Sequence, residues 1–305
     1  MSNGVINLLK PPGMTSHDAV SFVRRTFRQK KVGHSGTLDP AAAGVLPIYL
    51  GYATRLVEYG EDFDKEYRAE ILFGIATSTG DDTGALLRQA PVGPMALDFL
   101  EPVLATFRGT YEQVPPMYSA LKVAGRKLYE LAREGKEVVR VPRPVKIREI
   151  RLLYRHQERA GIQVVCSKGT YIRTLCEDIG DRLGLPATMA FLLRTRVGPF
   201  GIAQTSTLEE VAATPATALR PSDVAVAHFP AVRLDDSKTR LLRQGQPVQA
   251  LLDYGLPQAI TPVRLYSAAG SFFGMGQFEA ETGLICPKKI FGDGNDRDVA
   301  DKESV

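Results

Sequence analysis

The segment Val32-Gly33-His34-Ser35-Gly36-Thr37-Leu38-Asp39-Pro40 combines two glycines, one of the chain's four histidines and an acid set against a proline. Pro40 biases Asp39 away from helical dihedrals. The following Ala41-Ala42-Ala43 can start a helix with proline at its first position, so Asp39 reads as a helix cap as readily as a reactive acid. Taken alone, the cap is the commoner reading.

Upstream, Val5 to Leu9 is a short apolar run that breaks at Pro11-Pro12-Gly13. Thr15-Ser16-His17-Asp18 then offers a capping box ahead of Val20, Val23 and Phe27 at helical spacing. Downstream, residues 44 to 50 read as a buried strand. Lys65 to Phe73 alternates, with Tyr67, Ala69, Ile71 and Phe73 on the inner face. Strands are expected around Gln113 and Ser119, flanking Pro115-Pro116, and a helix over Lys127 to Arg133. Two more strands, Lys146 to His156 and Gly161 to Ser167, precede Thr170, which reads as the N-cap of a helix ending near Gly184. Strands grouped with interspersed helices, without strict βαβ alternation, predict an α+β domain on a mixed, largely antiparallel sheet. Beyond Phe229 the pattern changes to one helix (Asp235 to Arg243) followed by short strands separated by Gly270 and Gly283, a small β-rich unit. The expected organisation is 1–228, 229–292 and a polar, acidic tail over 293–305.

A chain of 305 residues with 44% hydrophobic and 24% charged side chains can bury its core without disulfides or metal. The three cysteines, Cys166, Cys176 and Cys286, contain no C-x-x-C pair and suit a reducing cytoplasm. The N-terminal apolar stretch is too brief for a signal peptide, and no run approaches the length of a membrane helix. Net charge is only +4, but its distribution is uneven. Residues 19 to 38 carry Arg24, Arg25, Arg28, Lys30 and Lys31 and no acid, and 122 to 148 carry nine basic residues against Glu130, Glu134 and Glu137. Two such runs favour a polyanionic partner over a merely solvated helix face.

Whole classes of chemistry lack support. There is no phosphate-binding G-x-x-x-x-G-K-[ST] loop, Gly274-Met275-Gly276 lacks the third glycine of a dinucleotide fingerprint, and the histidines have no metal-ligand spacing. A reaction without cofactor or metal is the simplest enzyme reading. Ser167-Lys168-Gly169-Thr170-Tyr171-Ile172-Arg173 places an arginine in the first turn of a helix, where the backbone dipole is already positive. Either Arg173 snorkels to solvent or an anion, Asp39 or a phosphate, sits beside it.

Together these pieces resemble the bacterial tRNA pseudouridine-55 synthases of the TruB type. Lys10-Pro11-Pro12-Gly13-Met14-Thr15-Ser16 is similar to that family's opening motif and Gly33 to Pro40 to its catalytic motif. Lys65-Glu66-Tyr67-Arg68, Gln113 to Lys122, Lys168 to Arg173 and Leu192 to Phe200 follow in the family's order. From about Phe229 the likeness is to the small PUA-like RNA-binding module, and it is weaker. Two positions depart: Ala43, where the family commonly has Thr or Ser, and Leu193, where it has a second arginine.

The resemblance implies a pseudouridine synthase fold and a cofactor-free isomerisation of uridine 55 in the tRNA T loop. Asp39 would be the nucleophile, kept charged by Arg173, and His34 would fill the space left by the flipped nucleotide. Tyr67 would stack on the uracil and could also act as a base. Tyr171 and Leu192 would line the base pocket, and Lys10 would serve a structural or phosphate contact. The basic 122–148 stretch and the Arg24 to Lys31 helix would hold the T stem-loop. The implied enzyme is a cytoplasmic monomer that needs neither guide RNA nor membrane. The alternatives are a non-catalytic tRNA-binding or tRNA-folding protein of the same fold, and a subunit dependent on guide RNA.

Overall fold

The apolar alternation in Lys65–Phe73 becomes the middle strand of a nine-stranded sheet. The computed structural model describes residues 1–93, 98–119, 121–123, 125–136, 138–250 and 260–292. Across the main path of the sheet the strands run Gly4–Lys10, Ala43–Leu50, Ala187–Val197, Lys65–Phe73, Arg159–Cys166, Arg143–His156 and Gly109–Gln113. Every pairing along it is antiparallel except that of Ala187–Val197 with Ala43–Leu50. The two departures from the family pattern meet in that parallel pair, since Leu193 and Ala43 are register partners.

As the alternation requires, Ala69, Ile71 and Phe73 are buried, on the face covered by helix Ile172–Arg182 through Leu175, Cys176 and Ile179. A second apolar layer lies under helix Ser16–Thr26, where Ala19, Val20 and Val23 meet Ile6, Leu8, Leu46 and Ile48. That helix starts at the expected place: Thr15 accepts from the Asp18 amide, and the Asp18 carboxylate accepts from Thr15 N. Two reciprocal bonds satisfy donors that a helix start leaves open.

Three local expectations give way to tertiary structure. No helix begins at Pro40; Ala42 N reaches Asp39 O in a single turn and the chain enters the strand Ala43–Leu50. Gly44, at φ 118°, lies so close to the Arg194 backbone that sheet pairing overrides the helix propensity of the alanines. Residues 117–119 form bends, not a strand, and the extended chain there is the two-residue Lys122–Val123, paired with Arg126–Lys127. The cap of the Ile172–Arg182 helix is Tyr171, whose side chain makes no cap bond; the Thr170 hydroxyl turns back to Ser167 O at 3.0 Å.

A five-stranded sheet follows, ordered Ala231–Arg233, Thr261–Tyr266, Phe272–Glu279, Leu284–Ile290, Val248–Gln249, with helix Asp236–Arg243 closing over Val232, Val263, Leu265, Phe273 and Ile285. It meets the 3₁₀ helix Gly51–Gly60, which follows the strand Ala43–Leu50, through Tyr52 stacked on Phe291 at 4.4 Å and through Arg55 Nη1, which donates to Ile290 O at 2.8 Å. The expected acidic tail over 293–305 lies outside the described residues. Among the described residues no helix is long and apolar enough to cross a membrane.

Candidate active site

The loop Gly36–Pro40 is held at every residue. Gly36 takes φ 81°, a left-handed conformation that favours glycine. Arg194 Nη2 donates to Gly36 O at 3.0 Å and Nη1 to Thr37 O at 3.4 Å. The Ser16 hydroxyl, at the start of the first helix, both accepts from Leu38 N (2.9 Å) and donates to Leu38 O (3.1 Å). Pro40 O accepts from Gly13 N at 2.9 Å and from Lys10 Nζ at 3.3 Å. The neutral bonds contribute about 1 kcal/mol each net and those from the charged Lys10 and Arg194 about 1.5–3 kcal/mol, and together they leave the loop one arrangement. Asp39 projects from it with its side chain 38% exposed.

Arg173 meets that carboxylate. Its Nε stands 3.0 Å from Asp39 Oδ2, while Nη1 donates to Thr79 O (2.9 Å) and Nη2 to Tyr118 O (2.8 Å). The arginine is buried, so it does not snorkel; its place in the first helical turn is answered by an anion and two carbonyl dipoles. One charged fork thereby joins three separate loops around a half-exposed acid.

The other expected residues surround this pair. Tyr67, on the inner face of its strand, packs half-buried against the core that contains Leu192. Burial raises the Tyr67 hydroxyl above its ordinary range, against the pull of the neighbouring Arg194. The phenol is therefore protonated at neutral pH, which favours the stacking role over that of a base. Leu192 is buried opposite Ala69. Tyr171 is half-buried at the helix start, and burial raises its hydroxyl too. His34 ends the strand Val32–His34, with its ring edge-on to His17 at 5.9 Å. Burial, reinforced by His17 and Arg194, lowers its pKa, so the imidazole is held neutral. Lys10 is fully buried, giving its ammonium to Pro11 O (2.9 Å), Met14 O (2.7 Å) and Pro40 O. It fastens the loop and has no surface to offer a phosphate; burial brings its pKa down to about 8.

Two residues inside the quoted motifs have roles that the sequence reading did not assign. Arg194, 1% exposed, is the cross-strand partner of Tyr67. Its parity with Leu192 on one strand is the signal that it points inward. Gln113, also buried, clasps the Tyr171 backbone with both ends of its amide, accepting from Tyr171 N at 2.8 Å and donating to Tyr171 O at 3.0 Å. It satisfies the cap residue's own backbone amide and carbonyl, not the first-turn amides that a capping side chain would serve.

Around the site the surface is basic in places. Arg24, Arg25, Arg28, Lys30 and Lys31 are all exposed. In the second basic stretch Arg126 and Lys136 pair with Glu134, and Arg148 with Asp64, whereas Arg143 and Lys146 are exposed and form no ion pair among the described residues. Among the described residues no cluster of three or more His, Cys, Asp or Glu is placed to hold a metal ion.

Comparison with known proteins identifies the family. The model of the TruB family pseudouridylate synthase N-terminal domain matches residues 24–172, that of the tRNA pseudouridylate synthase B C-terminal domain 173–227, and that of the pseudouridine synthase II TruB C-terminal region 230–291. A tRNA pseudouridine synthase B of Caldanaerobacter subterraneus subsp. tengcongensis is 44% identical over 95% of this chain and 99% of its own length. That of Symbiobacterium thermophilum is 55% identical over 72% of this chain and 75% of its own. Among solved structures, a chain of a Cbf5-Nop10-Gar1 complex superposes with a TM-score of 0.71 at 27% identity, covering 95% of this chain and 85% of that one. A chain of an H/ACA RNP bound to a substrate RNA scores the same at 26% identity. With relatives of this identity aligned along nearly its whole length, the chain belongs to the TruB family of pseudouridine synthases.

Proposed function

We propose that this protein is a stand-alone tRNA pseudouridine synthase that converts uridine 55 of the T loop, with Asp39 as its nucleophile. The observation that carries the reading is the ion pair of a half-exposed Asp39 with a buried Arg173 whose other nitrogens are both engaged. A carboxylate fixed in a rigid loop and paired with a buried arginine is what nucleophilic catalysis needs.

The reaction breaks the N1–C1′ bond of uridine and forms a C5–C1′ bond, with a proton leaving C5 and one joining N1. Atoms and oxidation state balance, so no cofactor is required. A T-loop uridine must first leave the stack, at a cost of a few kcal/mol. His34, neutral and at the rim of the loop, fills the space behind it. The base lies between Tyr67, Leu192 and Tyr171, opposite Asp39. Exposed Arg24, Arg25, Arg28, Lys30, Lys31, Arg143 and Lys146 take the phosphates of the stem-loop. Residues 1–228 carry the chemistry and 229–292 assist RNA binding, in line with the separate family match over 230–291. A tRNA substrate implies a cytoplasmic site of action.

The test is incubation of the purified chain alone with an unmodified tRNA transcript, followed by mapping of pseudouridine. Modification at position 55 without any added guide RNA is the expected result. Binding without modification would favour a non-catalytic tRNA-folding protein, and modification only with a guide would favour a guided subunit.

A further inference from the structure

Among the described residues the largest fully buried side chain is a cation, Arg194. Among the described residues it forms no ion pair. Its guanidinium is spent on carbonyl oxygens: Nε to Val45 O at 2.8 Å, Nη2 to Gly36 O and Nη1 to Thr37 O. Lys10, the next largest buried cation, likewise reaches only carbonyls. Taking a charge out of water costs several kcal/mol even after relaxation. The three carbonyls call for donors, which a neutral side chain can also supply, and not for a full charge.

Position supplies a reason for the charge. Arg194 is the cross-strand partner of Tyr67 and bonds to Gly36 O in the loop that carries Asp39, whose carboxylate Arg173 meets. We infer that Arg194 is a positioning residue for the reaction, fixing the Asp39 loop and supplying uncompensated positive charge behind the uracil site. This rests on the reading of Asp39 and Tyr67 given above. When the N1–C1′ bond breaks, its electron pair stays on the ring, which is negatively charged until the pair is committed to the C5–C1′ bond. A preorganised cation in a water-poor wall favours that state without having to move. The charge acts through the Asp39 loop and past Tyr67, since Arg194 itself is shut off from solvent.

The test compares Arg194→Gln, which keeps a donor and loses the charge, with Arg194→Lys, which keeps the charge and loses the fork. Rates are read in single turnover with saturating enzyme, beside tRNA affinity and thermal midpoint. The inference expects Arg194→Gln to be slower by about a hundredfold, with tRNA affinity within about threefold of wild type and the midpoint lower by no more than a few degrees. Arg194→Lys should recover at least about tenfold of the loss. Arg194→Met, of similar volume, stands in if the glutamine variant does not fold. A neutral variant within about threefold of the wild-type rate would overturn the inference, as would a lysine variant no faster than glutamine. Failure of both neutral variants to fold or to bind tRNA would make Arg194 purely structural and overturn it too. Because wild type and Asp39→Asn run in the same assay, failure of the underlying reading would show separately, as an active Asp39→Asn.

Discussion

Arg173 Nε lies 3.0 Å from Asp39 Oδ2, the arginine 5% exposed and the aspartate 38%. The cation is locked and the anion can meet a substrate. Breaking a buried pair leaves an uncompensated charge, but here the abandoned acid is partly in water, so the loss should fall on rate more than on folding. Arg173→Met should lower single-turnover pseudouridine formation by at least about a hundredfold. Arg173→Lys should recover little, because one ammonium cannot reach Asp39, Thr79 O and Tyr118 O together. Rapid-quench measurement with saturating enzyme checks both.

Tyr67 offers a ring and a protonated hydroxyl. If stacking is its main service, Tyr67→Leu should be slower than Tyr67→Phe by about tenfold, a stacking contribution of about 1–3 kcal/mol per base. The pH–rate profile of wild type should show no limb from Tyr67 between pH 6 and 8, on the order of the neutral range. A phenylalanine variant as slow as the leucine one would return the hydroxyl to the centre of the mechanism.

Glu177 and Asp178, next along the helix from Arg173, have carboxyls raised by burial to about 7 and about 6, each pushed further by a neighbouring acid. The folded state therefore holds protons that the unfolded state has released. Stability from these groups is complete below their unfolded values and declines as pH rises from about 3.8 for Asp178 and about 4.5 for Glu177 through about 6 and about 7. Glu177→Gln should flatten that decline and raise the thermal midpoint above pH 7 by a few degrees. Thermal scans from pH 5 to 8, on the order of that window, decide it.

Gly44 has φ 118°, and a Cβ there would lie 2.2 Å from the Arg194 carbonyl oxygen. Gly44→Ala should force apart the parallel pairing that carries the Asp39 loop, costing more than about 2 kcal/mol. Urea unfolding measures the loss; a cost under about 0.5 kcal/mol would contradict the close approach.

The exposed Lys30 and Lys31 should act on affinity alone. Replacing both by alanine should weaken tRNA binding and reduce the slope of log K against log salt by about one to two. The rate at saturating enzyme should not change.

Much of this was legible in the sequence because the relevant signals are local. The alternation in Lys65–Phe73, the Thr15–Asp18 capping box and the inward parity of Tyr67 each follow from a few adjacent residues. The Asp39 loop was legible as a fixed polar segment, but its continuation was not. Asp-Pro-Ala-Ala-Ala carries a helix signal, and only the distant Arg194 backbone pressing on Gly44 turns it into a strand. The cap at Tyr171 was hidden for the same reason: its bonding partner, Gln113, is 58 residues away. Arg194 had a parity signal, yet a buried arginine without a carboxylate partner contradicts the ordinary expectation that charges seek water. Its destination becomes readable only when the Gly36 and Thr37 carbonyls are seen beside it.

The central claim is that Asp39 performs the chemistry. Its most direct measurement is the single-turnover yield of pseudouridine at position 55 with Asp39→Asn at saturating enzyme, beside wild type and with tRNA binding measured on the same preparation. The account predicts full binding and no detectable product. Product formed by Asp39→Asn at a rate near that of wild type would contradict it.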